Sequence, residues 1–133
     1  LSTPEIPAIV ELEAVLVPEN PEFYINRGRH IAVAMALFTE TVSLYTVSVV
    51  GSADMMRFAT TLFGLRDERG IEYPMVSSNS GGGSGGRAHD VCTSFRRPDR
   101  QRPLQLTAFW YTTGPGGTRL VGDDVVHCKV PLR

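Results

Sequence analysis

Lysine is nearly missing from this chain: of its 13 basic residues only Lys129 is not an arginine. The bias fits a GC-rich coding sequence before it fits selection for guanidinium chemistry. Net charge is also lacking, at -1 for 133 residues, so no global field draws in nucleic acid or an anionic membrane, and any such binding must be local. No run approaches the roughly 18 uninterrupted apolar residues of a membrane helix. The opening "LSTPEIP" lacks the basic and apolar regions of a secretory signal, as a piece excised from a longer protein of any origin would. A chain of this length buries about two-thirds of its unfolded surface and folds without help from disulfides or metals.

What is present is short alternating segments. "AIVELEAVLV" sets Val10, Leu12, Ala14 and Leu16 against Glu11 and Glu13, the period of two of a half-buried strand, and Pro18 and Pro21 end it. "HIAVAMALF" alternates Ile31, Val33, Met35 and Leu37 with alanines. "TVSLYTVSVV" is rich in β-branched residues, so the two read as successive strands with a corner at Thr39 to Thr41. The alanines also suit a helix. "TTLFGLRDERGIEYPMV" reads as a hairpin turning at Asp67 to Gly70, with a short helix near 53–63 as an option, because Ser52 can cap and Gly64 can stop one. Downstream, "AHDVCTSF", "LQLTAFWYTT" and "TRLVGDDVVHCKVPL" are strands, "RRPDRQRP" is a loop and "GPGG" a turn, with an interruption at Gly122 to Asp124. These signals predict an all-β fold, an Ig-like β-sandwich of about seven to nine antiparallel strands in one domain.

Between the halves lies "VSSNSGGGSGGRAHD". Gly81, Gly83 and Gly86 fit G-x-G-x-x-G, but a dinucleotide fingerprint needs a helix opening behind it, and the β-branched, aromatic run before Pro98 supplies none. No Gly-Lys-Ser/Thr follows for a Walker loop. Residues 77–86 therefore read as a flexible Gly/Ser linker of engineered composition, replacing a loop or else fusing Arg87 to Arg133 as a partner segment.

Each candidate site has a structural counter-reading. His89, Cys92, His127 and Cys128 offer two His and two Cys, yet strand geometry points His127 away from Cys128 and His89 away from Cys92, so no zinc set is expected. Cys92 and Cys128 are candidates for a disulfide or for two buried thiols. A Cys/His enzyme finds no motif around either cysteine, and "GDD" at Gly122 to Asp124 reads as a turn or bulge. Arg96, Arg97, Arg100 and Arg102 cluster around Asp99 and can meet phosphates or an acidic partner segment. In the aromatic strand, Leu104, Leu106, Ala108 and Trp110 take one face, and Gln105, Thr107, Phe109 and Tyr111 the other. That second face is either covered or an exposed partner patch. Pro74 places Glu72 to Val76, including Tyr73, at a sheet edge suited to pairing with a partner strand.

The final "LQLTAFWYTTGPGGTRLVGDDVVHCKVPL" resembles the closing strands of Ig-like ear or appendage domains of membrane-trafficking complexes. That resemblance implies a non-catalytic module that recruits short peptide motifs or packs within an assembly; it transfers no site residues. The expectation is thus a protein interaction or scaffold domain, excised from a larger protein or assembly, without catalysis, cofactor, metal or membrane insertion. The alternative is nucleic-acid binding through residues 96–102.

Overall fold

Two antiparallel sheets face each other in a computed structural model that describes residues 11–25, 28–49, 61–82 and 88–132. The first sheet is built on a long hairpin of β3 (Gly28–Phe38) and β4 (Thr41–Val49). Pairing of the two strands sends Met35 and Leu37 inward beside Val42 and Leu44, all fully buried, while Ala34 and Ala36 lie on the half-buried outer face. The apolar period of two thus overrides the helix preference of the alanines. A register shift between Ala32 and Ala34 keeps Ala32 inside opposite Thr46.

β1 (Leu12–Leu16) and β2 (Glu22–Ile25) both pair with β3, separated by the stretch that holds Pro18 and Pro21. On the other side β4 pairs with β8 (Ala88–Arg96), whose Val91, Thr93 and Phe95 point into the core. β7 (Met75–Gly82) completes this sheet against β8. The second sheet has the order β10, β9, β5, β6, from β5 (Thr61–Asp67), β6 (Glu72–Tyr73), β9 (Gln105–Thr113) and β10 (Arg119–Lys129). Phe63, Leu65, Leu106, Ala108, Val126 and Cys128 close the core from this side.

The all-β sandwich is as the sequence predicts, with ten strands among the described residues rather than seven to nine. The larger number comes from β2, which no predicted run covers, and from a predicted run that breaks at Pro74: Tyr73 belongs to the second sheet and Met75 to the first, so the chain changes sheets there. Asp67 to Gly70 is the expected turn, with Gly70 at φ 80, the left-handed conformation that its lack of Cβ permits. Residues 53–60 of the optional helix near 53–63 lie outside the described residues, and 61–63 are strand. Apart from a 3-10 turn at Pro115–Gly117, no helix occurs among the described residues, and none is long and apolar enough to cross a membrane.

One boundary needs correcting. Ser77 to Gly82, read as the start of a flexible linker, are strand, paired in continuous register from Ser77 opposite Ser94 to Gly82 opposite His89. Ser and Gly carry the same backbone donors and acceptors as any residue, and β8 presents a matching row. Residues 83–87 lie outside the described residues.

Candidate functional site

The arginine cluster divides by parity. Val91, Thr93 and Phe95 face inward, so Arg97 continues their face and is 6% exposed, whereas Arg96 points out. The Arg97 guanidinium pairs with Glu13 of β1 and donates to the carbonyls of Phe38 (2.9 Å), Thr39 (3.1 Å), Arg100 (3.3 Å) and Gln101 (3.0 Å). It joins β1, the β3–β4 corner and its own loop, and it is not available to a partner. Arg102 is half-buried and donates to the Pro131 carbonyl at 2.7 Å. Only Arg96 and Arg100 stand in solvent, which corrects the picture of four arginines presented together.

The acidic segment this loop docks on belongs to its own chain. Asp67, buried, accepts from the backbone N–H groups of Arg69 (2.9 Å) and Ile71 (3.2 Å), from the Arg69 guanidinium (2.7 Å) and from the Tyr73 hydroxyl (3.4 Å). Arg69 then reaches Asp99 at 3.0 Å and Gln101 at 3.2 Å. These bonds raise the Arg69 pKa and hold the Asp99 carboxyl below its ordinary value. Glu68 accepts from the Leu104 N–H at 2.7 Å, which leaves Leu104 outside the strand and 63% exposed instead of on the apolar face predicted for it. Tyr73 is 1% exposed, so it serves the core and not a partner; burial, then the neighbouring Asp67, push its pKa up to about 12.

The outer face of the second sheet is covered rather than open. Phe109 lies opposite Gly64, where an added Cβ would sit 2.2 Å from its ring, so the glycine leaves the space that the ring fills. Arg66 and Arg119 close over it at 5.4 and 5.6 Å, and Arg119 stacks on Tyr111 at 4.0 Å. The same guanidinium forms a two-pronged pair with Glu72 at 2.8 and 3.2 Å. Phe109 is consequently 6% exposed and Tyr111 half-buried, so of the two alternatives the face is the covered one, and these two residues do not form an exposed partner patch. The cover comes from long side chains on other strands of the same sheet, a partnership set by register and not by neighbouring sequence.

The cysteines stay apart as free thiols: Cys92 half-buried on the outer face of the first sheet, Cys128 in the core. The candidate disulfide is therefore absent. Burial raises the Cys128 pKa to about 11. Among the described residues no group of three or more His, Cys, Asp or Glu is placed to hold a metal. The side chains of His30 and His89 lie outside the described residues. His127 shares a 2.9 Å hydrogen bond with the buried Thr107 across the β9–β10 ladder. Gly122 to Asp124 form a bulge facing Trp110, and Asp124 accepts from the Tyr24 N–H at 3.0 Å, tying β2 to β10.

Concavity is limited. A void of about 10 Å³ lies between the sheets beside Trp110, Thr46 and Asp124, space for one water at most. A cleft of about 240 Å³ opens between the β3–β4 corner and the loop after β8, with Glu40, Arg96, Arg97, Asp99 and Arg100 in its wall. The first is apolar but too small for a small-molecule site, and the second lacks the apolar enclosure usual for one.

Sheet edges remain. β10 is interrupted by its bulge, β6 has two residues, β2 four, and β1 five with a register shift. β7 differs: after a shift between Met75 and Ser77 it runs unbroken to Gly82, without a charged residue or proline, paired with β8 alone among the described residues. Residues 74–79 are all exposed.

No family model matches the chain, and no curated protein matches it in sequence. A solved structure described as the conserved domain protein from Bacillus anthracis is similar to it over 92% of this chain and 47% of that one, with 12% identity and a TM-score of 0.45. The chain spans about half the length of that protein.

Proposed function

We propose that this chain is a non-catalytic protein interaction or scaffold domain that takes up an extended partner segment along β7. The observation that carries the reading is the character of that edge. Natural sheets guard edges with charge, proline, bulges or brevity, and the other edge strands have one of these, whereas Ser77 to Gly82 have none. An added strand would gain main-chain hydrogen bonds along this row, with the small side chains of Ser77, Ser78 and Asn79 leaving it room. An Ig-like character, as in ear and appendage domains that recruit peptide motifs, belongs to this reading. Nucleic-acid binding has less support, since Arg97 and Arg102 are engaged within the fold and two exposed arginines make few phosphate contacts.

Hydrogen exchange on the isolated protein tests it. Those amides of Ser77 to Gly82 that point away from β8 should exchange freely while Val91 to Phe95 stay protected. Uniform protection of the segment without a partner would mean the edge is already occupied and would overturn the reading.

A further inference from the structure

We propose that the cleft at Arg96 and Arg100 is a carboxylate subsite that reads an acidic residue of the strand added at β7; this rests on the edge-strand reading above. Its charges settle the class of ligand. Arg97 is paired with Glu13, and Asp99 at 3.0 Å shares the Arg69 guanidinium with the buried Asp67. Arg100 and Glu40 stand 3.6 Å apart, 82% and 75% exposed, a loose pair that a competing anion can loosen further. The Arg96 side chain makes no hydrogen bond or ion pair among the described residues, although it is exposed and lines the cleft. Arg96 is thus the guanidinium of the cleft wall without a carboxylate partner among the described residues. A carboxylate matches it; a phosphate dianion would set its second charge against Glu40, and a nucleic-acid backbone needs several such contacts.

Position links the cleft to the edge. The Arg96 N–H donates to the Pro74 carbonyl at 2.8 Å, and Phe95 pairs with Met75, so the cleft adjoins the first residue of β7. A strand added beyond β7 lies two strand spacings from β8, roughly 10 Å. In the commoner antiparallel orientation its C-terminal end passes the cleft, and an acidic residue there meets the planar fork of Arg96.

The probes are the acetylated, amidated peptides Thr-Val-Thr-Val-Thr-Glu and Thr-Val-Thr-Val-Thr-Gln, titrated into the isotopically labelled chain and followed by backbone amide shifts. The Glu peptide should bind at least about tenfold more tightly, the usual value of one charge-assisted hydrogen bond. Both peptides should shift Ser77 to Gly82, and only the Glu peptide should shift Arg96. Arg96→Gln, which changes an exposed side chain without partners among the described residues, should reduce the preference to within about twofold. The Gln peptide with a free terminal carboxylate separates the two sources of the group: recovery of the tenfold gain assigns a chain terminus, and no gain assigns an acidic side chain. Equal affinity of the two amidated peptides, with β7 still shifting, would overturn the subsite and leave the edge reading standing. Failure of both peptides to shift β7 would overturn both. Inorganic phosphate displacing the Glu peptide more effectively than acetate would overturn the assignment to a carboxylate.

Discussion

Arg119, on one edge strand of the second sheet, sets its guanidinium over Tyr111 at 4.0 Å and ends on Glu72 of the opposite edge strand at 2.8 Å. One side chain thus bridges the sheet and covers its aromatic face. Arg119→Ala should cost about 1–2 kcal/mol in denaturant unfolding, combining a cation–π contact with lost packing. It should also increase binding of a hydrophobic dye as Phe109 is uncovered. Arg119→Lys should not restore stability, because an ammonium neither stacks nor forms the two-pronged pair.

Arg97 is the more costly arginine to lose. Its side chain is 2% exposed, and its removal takes away the ion pair to Glu13 and the bonds donated to the carbonyls of the β3–β4 corner. Arg97→Ala should destabilise by about 3–5 kcal/mol. Arg96→Ala should change stability by less than about 0.5 kcal/mol. Similar values for the two adjacent arginines would refute the division by parity.

Trp110 is the single tryptophan, and its indole occupies the space over Gly122, where a Cβ would lie 2.0 Å from the ring. Gly122→Ala must displace the ring or open the bulge, at a cost of about 1–3 kcal/mol. The displacement should register as a change in native-state fluorescence, and an unchanged spectrum with unchanged stability would argue against the contact.

Alkaline pH should unfold the protein through two buried groups. Burial raises Tyr73 from 10.0 to about 12 and Cys128 from 9.0 to about 11, so the folded state holds these protons more tightly than the unfolded state. The associated stability is complete below pH 9.0 and is lost as pH rises from there to about 12, each group contributing about 2–3 kcal/mol. Stability measured against pH should fall through this window, and Tyr73→Phe should remove the upper part of the fall. The same burial should protect Cys128 from thiol reagents in the folded protein while Cys92 reacts.

The strands were legible because alternation is local: Met35 and Leu37 announce an inward face whatever the alanines between them prefer. Arg97 was legible in principle too, since Val91, Thr93 and Phe95 carry their period of two straight to it. Counting arginines hid that signal. The cover of Phe109 was not legible, because Arg66 and Arg119 meet it only through the register of three strands. Nor does composition reveal that Ser77 to Gly82 form a strand, since the partner that orders them lies across the hairpin. Asp67 at the head of a Gly-ended turn signalled a side chain bonding its own backbone, but its ion pair to Arg69 and onward to Asp99 depends on how the later loop folds back.

The order in which the strands pair has a consequence in time. β3 with β4, β7 with β8 and β9 with β10 are hairpins that can close early. β4 meets β8, and β5 meets β9, only after the chain between them has been gathered in, from Thr41 to Arg96 and from Thr61 to Thr112. Such distant pairings favour refolding in milliseconds to seconds rather than microseconds. Stopped-flow fluorescence of Trp110, which lies where β5, β9 and β10 converge, should report that slow step, with little signal developing while only the hairpins exist.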